Sequence, residues 1–391
     1  MVKVKEKRYI EETTYLSILN ENIARLISIL TIVNPRNVSE IARALGLSTS
    51  LTHYYIKKLK KRGFVNVVSK IDDVKIGLRP VRIFINANLS LRKWLLDALC
   101  QIPYWRYLSY CIGKFNGIYG QFSIPFGKEI EFQSILDELI DTGLIENYEL
   151  YWVNRVIYIP RGFHWFNFKS KEWIFRWNDW IKEVYESNPY LVNLVKNINN
   201  SNNWVTLDKY DIYILKELEK DAYVSFNEIA KKLNLTAPAV RYHYYHHIIR
   251  YKLLSGFRPV IFPYPLSSSD MHLFKISFYD ASCLGKFITS LQNKPFASSV
   301  TLISRGNDAI VDVYLPKVEF LNFINVLMKL IDREIVKDFF YVTLLLGTYK
   351  RQTIPYEQFV DGKWQFEYEK YRRTIAEICK KCEKVRVHQY Y

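Results

Sequence analysis

The stretch AVRYHYYHHIIRYK, residues 239–252, concentrates side chains that could bind a metal ion, stack on bases or contact phosphates. His243 and His247 are one helical turn apart, which is the spacing of a helical metal-binding pair. No acidic residue or cysteine within the same predicted helix completes a site, and a similar segment described below has Leu59 at the position of His247. We therefore expect no metal here, but a buried or phosphate-facing histidine.

Other patterns that could support catalysis are weak. The sequence contains no Walker loop, no GxGxxG and no HExxH. Cys379 and Cys382 form a lone CxxC on a charged, helical tail, and the paired carboxylates Asp72 and Asp73 suit a turn. The five cysteines are too few and too scattered for a disulfide framework. We expect no enzyme, no catalytic residues, no cofactor and no metal.

The charge balance favours a polyanionic partner. Lys and Arg outnumber Asp and Glu by 55 to 39 in 391 residues, which gives a formal charge of +16. The excess is largest in residues 1–82, with 16 basic and 7 acidic side chains. Apolar runs such as LISILTIV are too short to cross a bilayer, and the start of the chain lacks the apolar core of a secretion signal. These features predict an intracellular, cytoplasmic protein without a membrane partner.

The chain repeats itself at an offset of 188 residues. NVSEIARALGLSTSLTHYYIKKLKKR, from Asn37, aligns without a gap to SFNEIAKKLNLTAPAVRYHYYHHIIR, from Ser225. Each segment predicts a short amphipathic helix, a tight turn at Gly46 or Asn234, and a longer helix capped by Ser48 or Thr236. A further helix precedes each segment, at about 18–32 and 207–219. Three such helices are typical of a helix-turn-helix unit, whose second motif helix enters the major groove.

A second repeated pattern follows each helix-turn-helix segment. Residues from VRIFINAN to LIENYELYWV, and from LFKISFYD to VKDFFYVTLLLG, both predict the order βαββαβ. A Trp-rich linker with one helix, at about residues 171–186, and the hinge-like sequence NINNSNN separate the two copies. We expect this linker to pack on the domains it joins, although its aromatic side chains could also stack on bases.

These motifs resemble the Lrp/AsnC, or feast/famine, family of regulators. The resemblance is clearest in LDKYDIYILKELEKDAYVSFNEIAKKLNLTAPAVRYHYY and in the hairpin ISRGNDAIVDVYLP. It implies DNA-binding transcriptional regulation, dimerisation through the βαββαβ sheets, and a small effector such as an amino acid bound near Gly306 and Asp308. The chain departs from the family in being tandem, and Asn116 replaces Asp308 in the first copy, which weakens the expectation of an effector there.

The predicted fold class is α+β, with two winged helix-turn-helix domains and two ferredoxin-like βαββαβ domains in tandem. The expected domains are helix-turn-helix 1 at 18–76, βαββαβ 1 at 79–160, the linker at 161–203, helix-turn-helix 2 at 204–263, βαββαβ 2 at 270–350 and a tail at 351–391. A βαββαβ sheet covers one face with its helices and leaves the other face in need of a partner, so we expect the two copies to form an intrachain pseudo-dimer.

The two predicted recognition helices differ in the side chains that would meet double-stranded DNA. We expect Val240, Tyr244, His247 and Tyr251 to form the core face of the second helix. The expected DNA contacts are Ser48, Ser50, His53, Tyr54, Lys57, Lys58 and Lys61 in the first copy, and Arg241, Tyr242, Tyr245, His246 and Arg250 in the second.

Two alternatives stand beside a sequence-specific regulator. The first is an architectural protein that coats DNA without regard to sequence. The second is an enzyme, because tandem Lrp-like units also resemble the siroheme decarboxylases. The hairpins LISRGNDAIVDVYLP and YCIGKFNGIYGQFSIP lack the histidine that this second resemblance requires.

Overall fold

The computed structural model describes residues 16, 19–61, 66–189 and 205–388. The first copy contains a three-helix head, a wing strand, a βαββαβ domain, a small hairpin and a helix. In chain order these elements are α1 Glu21–Ile29, α2 Val38–Leu45, α3 Thr49–Lys61, β1 Asn66–Ile71, β2 Leu78–Asn86, α4 Arg92–Leu99, β3 Trp105–Gly113, β4 Gly117–Pro125, α5 Glu129–Asp141, β5 Asn147–Tyr158, β6 Phe166–Asn167, β7 Glu172–Trp173 and α6 Trp177–Glu186.

The second copy repeats this order. Its elements are α7 Lys209–Lys220, α8 Phe226–Leu233, α9 Ala237–Tyr242 continued by a π-helix His243–Ile249, β8 Leu254–Val260, β9 Ser269–Phe278, α10 Ala281–Ser290, β10 Ala297–Ile303, β11 Asp308–Pro316, α11 Phe320–Ile331, β12 Val336–Leu344, β13 Lys350–Arg351, β14 Phe359–Val360, β15 Lys363–Trp364 and α12 Tyr368–His388.

The turn between the two motif helices has the predicted chemistry in both heads. Gly46 and Asn234 adopt left-handed backbone conformations, with φ of 67° and 53°, and end α2 and α8. The Ser48 hydroxyl accepts a hydrogen bond from the amide of Leu51, and Thr236 caps α9 in the same way. In each head, the turn between the two motif helices is therefore stabilised by capping residues that are close together in the sequence.

The core face of the second recognition helix differs from the predicted one. Val240 and Tyr244 are buried, as expected, but His247 is only half-buried and Tyr251 is exposed. Ile248 provides the third buried position instead. The cause is the π-helix, because each of its turns holds more residues than an α-helical turn and shifts the buried face along the chain.

The two βαββαβ sheets join edge to edge and close into a ring. The strand order is β12-β9-β11-β10-β5-β2-β4-β3-β13, and β12 also pairs with β3. Both junctions, β5 with β10 and β3 with β12, join the second strand of one domain to the fourth strand of the other in antiparallel pairing. We expected the second copy to cover an open sheet face; the structure instead completes the sheet edges, which removes the unpaired strands.

The ring has an aromatic and aliphatic interior, and helices cover its outside. Phe84, Tyr119, Leu273 and Val342 pack together inside it, in a cluster drawn from both copies. The helices of the two domains and the helices α6 and α12 form the outer layer. None of the described helices combines the length and the hydrophobicity that crossing a bilayer requires.

The Trp-rich linker and the C-terminal tail are a third repeated element, which sequence analysis left unmatched. EWIFRWNDWIKEV, from Glu172, aligns without a gap to KWQFEYEKYRRTI, from Lys363. Each begins in a small hairpin, β6–β7 or β14–β15, and continues into a helix. The linker helix begins at Trp177, later than predicted, because the hairpin occupies the preceding residues. The NINNSNN sequence lies outside the described residues.

These third elements are exchanged between the copies. Helix α6, from the first copy, packs on α10 and α11 of the second. Helix α12, from the second copy, packs on α4 and α5 of the first. Trp180 is fully buried among Phe287, Phe296 and Phe323, so the linker aromatic side chains serve the core of the second domain.

Candidate nucleic-acid interface

The first recognition helix, α3, presents a polar face to solvent. Its buried positions are Thr52, Ile56 and Leu59, which recur at helical spacing. The predicted DNA-contacting side chains lie on the other faces: Ser48, Ser50, His53, Tyr54 and Lys57 are exposed and Lys58 is half-buried. The Lys61 side chain lies outside the described residues.

Contacts on α3 occupy Lys60, whose ammonium lies 3.7 Å from the Tyr223 ring centroid, but leave Lys58 beside an exposed ring. The Lys58 ammonium lies 5.8 Å from the centroid of the Tyr54 ring, which is itself 56% exposed. The Ser48 hydroxyl is occupied as the helix cap, so a phosphate contact through it would compete with capping. The basic end of α3 therefore has the form of a phosphate-contacting surface.

The second recognition helix also exposes the predicted side chains. Arg241, Tyr242, Tyr245, His246 and Arg250 all lie at the surface, as expected. The Tyr242 and His246 rings stack at 4.5 Å between centroids, and the Arg241 guanidinium lies 5.6 Å from the Tyr245 ring centroid. This surface combines planar rings and a guanidinium, the groups that contact base edges and phosphates.

The two heads are joined through their wings. Strand β1 of the first head pairs antiparallel with β8 of the second, with Val68 opposite Arg258 and Lys70 opposite Gly256. This pairing satisfies both wing edges. The relative placement of the two recognition helices is therefore tied to the wing sheet.

A half-buried arginine, Arg36, also connects the two heads. The Arg36 guanidinium lies 4.6 Å from the Phe226 ring centroid and 5.3 Å from that of Tyr244, and it donates to the Val224 carbonyl. Asn34 donates a 2.8 Å hydrogen bond to the Tyr244 hydroxyl. Burial lowers the pKa of Arg36. The inner face of the second recognition helix thus packs on the first head while its outer face stays open.

A large cavity lies between the paired wings and the ring of strands. Its volume is about 1260 Å³, and both copies line it. The lining contains four acidic residues, namely Asp72, Asp73, Glu219 and Asp312. It contains ten basic residues, namely Lys70, Lys75, Arg79, Arg82, Arg106, Arg155, Lys252, Arg258, Arg305 and Arg351. The cavity is thus strongly cationic.

Most of these cations have no carboxylate partner within the described part of the chain. The ion pairs are Lys75 with Asp72, Arg79 with Glu129, and Arg106 with Glu219. The remaining seven basic residues lining the cavity form none there. Desolvation, followed by repulsion from Arg258, lowers the pKa of Lys70 well below its usual value. Gathering uncompensated like charges in one cavity is costly unless an anion binds there.

The predicted effector residues lie apart from this cavity. Asp308 forms a 2.8 Å ion pair with Lys275, and Gly306 forms the hairpin turn with φ of 76°. Neither residue lines the cavity. In the first copy, Asn116 instead accepts a hydrogen bond from the Gly113 amide and closes its own hairpin.

Sequence analysis missed the cavity residues because they come from distant segments. Lys70 and Arg258 lie on paired wings 188 residues apart, and Arg82 lies on the first strand of a βαββαβ domain. The available signal was Arg82, a charge within the otherwise apolar run VRIFI.

Two family models match the heads. A winged helix-turn-helix DNA-binding model matches residues 207–244, and a model of the bacterial regulatory protein arsR family matches residues 24–67. They confirm the predicted helix-turn-helix units and their resemblance to DNA-binding regulators. The comparison with curated proteins found no match to this sequence.

Solved structures match the chain, and two of them match it along nearly its full length. The siroheme decarboxylase NirDL, and the same enzyme in complex with an iron-uroporphyrin III analogue, each cover 93% of this chain and 100% of their own, at 10% identity, with TM-scores of 0.52 and 0.54. An AsnC family transcriptional regulator from Agrobacterium tumefaciens covers 35% of this chain and 91% of its own, at 16% identity and a TM-score of 0.29. The full-length matches confirm the predicted fold class of tandem α+β units.

Proposed function

We propose that this protein is a transcription regulator that binds one asymmetric DNA site through both of its recognition helices. The observation that carries the proposal is that α3 and α9 bury their apolar faces in the heads and expose cationic and aromatic faces. Both heads also match helix-turn-helix family models. Because the exposed side chains differ between the heads, the two half-sites should differ in sequence.

The covalent pairing of the copies sets the geometry of this site. The wing sheet, the closed ring of strands and the exchanged helices hold the heads in one arrangement. In a dimeric helix-turn-helix protein, two recognition helices contact half-sites about 10–10.5 base pairs apart. We infer the same spacing here, with one chain acting as a pseudo-dimer.

The cavity supports regulation by a polyanionic small molecule. An amino acid would fill little of a cavity of about 1260 Å³, whereas a larger polycarboxylate or polyphosphate could contact Lys70, Arg82 and Arg258 together. The wing strands β1 and β8 form part of the cavity wall. An anion bound there would contact the sheet that joins the heads and could change its position. Such a ligand can change DNA affinity only through a difference between its affinities for the free and DNA-bound arrangements.

Selection of bound fragments from random DNA, followed by anisotropy titrations on the selected duplex, tests the proposal. We expect one asymmetric consensus and an affinity at least about 1,000-fold above that for a scrambled duplex, which is the lower end of the usual range for specific binding. Equal affinity for both duplexes would favour an architectural protein that coats DNA. Repeating the titration with tripolyphosphate tests whether an anion shifts the DNA affinity.

A second candidate, an enzyme acting on a tetrapyrrole polycarboxylate, is favoured by the same cavity. NirDL shares the fold, and its complex contains an iron-uroporphyrin III analogue. In such a reaction the cations would hold the substrate carboxylates. An absorbance titration with an iron porphyrin carboxylate, combined with measurement of released carbon dioxide, distinguishes the candidates. Binding without release would support an effector, and release would establish the enzyme.

A further inference from the structure

Four potential metal ligands converge at one point of the second head. They are Asp208 and Asp211, at the start of α7, and His243 and His247, on the π-helical part of the recognition helix. One ligand atom from each lies within 4.8 Å of the others. The two acidic residues come from a different helix, which is why inspection of the histidine helix alone finds no complete site.

The distances suit a metal ion. Nδ1 of His243 and Nδ1 of His247 each lie 2.8 Å from Oδ1 of Asp211, and Nδ1 of His243 lies 3.8 Å from Oδ2 of Asp208. Bonds of about 2.0–2.1 Å around a tetrahedral ion place its ligand atoms about 3.3 Å apart. The observed separations lie on both sides of that value, so small movements of the side chains would accommodate an ion.

The backbone orients both carboxylates towards this point. Asp208 and Asp211 form a reciprocal capping box, in which Oδ1 of Asp208 accepts from the Asp211 amide and Oδ2 of Asp211 accepts from the Asp208 amide. Asp208 thus uses Oδ1 for the cap and leaves Oδ2 on the side of His243, 3.8 Å from its Nδ1. Asp211 directs Oδ1 at both histidines, and its cap oxygen Oδ2 also lies 3.0 Å from Nδ1 of His247. Such fixing of ligands by hydrogen bonds outside the coordination sphere is typical of metal sites.

The first head shows that the fold does not need these side chains. At the offset of 188 residues, Asn20 replaces Asp208, Ile23 replaces Asp211, Tyr55 replaces His243 and Leu59 replaces His247. Asn20 caps its helix as Asp208 does, so the two heads correspond at this point. Ile23 and Leu59 are each 1% exposed. A buried carboxylate in place of an isoleucine is costly unless a cation or a proton donor compensates it.

We propose that Asp208, Asp211, His243 and His247 bind one divalent transition metal ion of the zinc class. Two imidazoles and two carboxylates suit Zn²⁺, Co²⁺ or Ni²⁺, and the absence of cysteine from this group of four disfavours soft Cu(I). The ion would tie the start of α7 to the recognition helix. Its effect on DNA rests on the proposed function: because Tyr242, Tyr245 and His246 share that helix, metal binding would order their contact surface.

The alternative without a metal is that the two half-buried histidines and the buried Asp211 form a hydrogen-bonded triad. This arrangement explains the 2.8 Å contacts and leaves Oδ2 of Asp208, on a half-exposed side chain, to solvent and to its 3.8 Å contact with Nδ1 of His243. It also predicts no change on adding metal. The two explanations therefore separate in a direct binding measurement.

The test uses the full chain, stripped with a chelator and titrated with Co²⁺ and then with Zn²⁺. We expect visible ligand-field absorption with one Co²⁺ per chain, its loss when Zn²⁺ displaces the ion, and a rise in melting temperature with Zn²⁺. His247→Gln and Asp208→Asn should each weaken binding at least tenfold. His246 lies on the outer side of the same helix, so His246→Gln is the control and should leave metal binding unchanged.

The outcomes decide the proposal independently of DNA binding. Absence of Co²⁺ absorption in the wild type, or equal binding by wild type and His247→Gln, would overturn it. Asp208 is largely exposed, so Asp208→Asn remains informative if a histidine variant fails to fold. If Co²⁺ binds but DNA affinity does not change with metal, the metal site stands and only its link to DNA binding is lost.

Discussion

Trp173 and Trp364 occupy equivalent positions in the two copies, and each donates its indole hydrogen bond to the opposite copy. The acceptor of Trp173 is the Pro263 carbonyl at 3.0 Å, and that of Trp364 is the Ile76 carbonyl at 2.6 Å. Both acceptors precede the first strand of a βαββαβ domain. Each copy therefore stabilises the other through an equivalent hydrogen bond. The linker and the tail are part of the folded structure of both copies.

This exchange predicts that Trp180→Ala destabilises the protein. Trp180 is fully buried, stacks on Phe323 at 5.7 Å between centroids, and donates to the Ser290 hydroxyl. Truncating a buried tryptophan costs about 3–5 kcal/mol. Urea unfolding should show this loss, whereas Ile174→Ala, at a 46% exposed position of the same linker, should change stability by less than about 0.5 kcal/mol. Unchanged stability with impaired DNA binding would mean that the linker stacks on bases.

The parts of this fold that the sequence predicts are those governed by local chemistry. Capping at Ser48 and Thr236, left-handed turns at Gly46 and Asn234, and the alternation of the strands all involve residues close in the chain. The equivalence of linker and tail was missed because tyrosines replace tryptophans, as at Trp180 and Tyr371.

The features that the sequence does not predict depend on contacts between distant segments. The π-helix shifts the buried position from His247 to Ile248, and the helical periodicity of the sequence does not predict that shift. The cationic cavity and the convergence of Asp211 with His243 form only when segments far apart in the chain meet. Composition indicated an anionic partner, but it could not separate the DNA-facing cations from those lining the cavity.

Replacing Lys57 and Lys58 together by Ala should weaken binding to every duplex. Each lost phosphate contact reduces the slope of log affinity against log salt by about 0.9, so the slope should fall by up to about 2. Titrations at several salt concentrations measure it. Lys329→Ala, at an exposed position on the outer helix α11, is the control and should leave the slope unchanged. An unaltered slope in the double variant would remove α3 from the interface.

Replacing Arg241 by Ala should change which sequences are selected more than how tightly nonspecific DNA binds. A guanidinium contacting a base edge contributes about 1–3 kcal/mol of discrimination. The expected result is relaxed preference at one or two positions of one half-site in a random-DNA selection. Arg241→Lys keeps the charge but loses the two-pronged geometry, so it should show the same relaxation with less loss of overall affinity. An identical consensus for all three proteins would exclude base contact by Arg241.

Lys70→Met should stabilise the anion-free protein and weaken anion binding. The folded state lowers the pKa of Lys70 because it is costly to hold the charged ammonium there. The full cost of that charge therefore reduces stability at every pH below the lowered pKa. This penalty disappears as pH rises towards the unfolded value near 10.5, so wild-type stability should increase with pH in that window.

Thermal melting with and without tripolyphosphate measures both effects of the Lys70 substitution. Lys337→Met, at an exposed position on β12, is the matched control and should change neither the anion-free melting temperature nor the anion response. If Lys70→Met lowered the anion-free melting temperature, or kept the full response to tripolyphosphate, the cavity would not be an anion site.

The measurement that tests the central claim most directly is a footprint of the full-length protein on its selected duplex. We predict one sharply bounded protected region with two half-sites about one helical turn apart. Lys57→Ala/Lys58→Ala should weaken one half and Arg241→Ala/Arg250→Ala the other. Uniform protection along any DNA, or a pattern that neither pair of substitutions changes, would contradict the account.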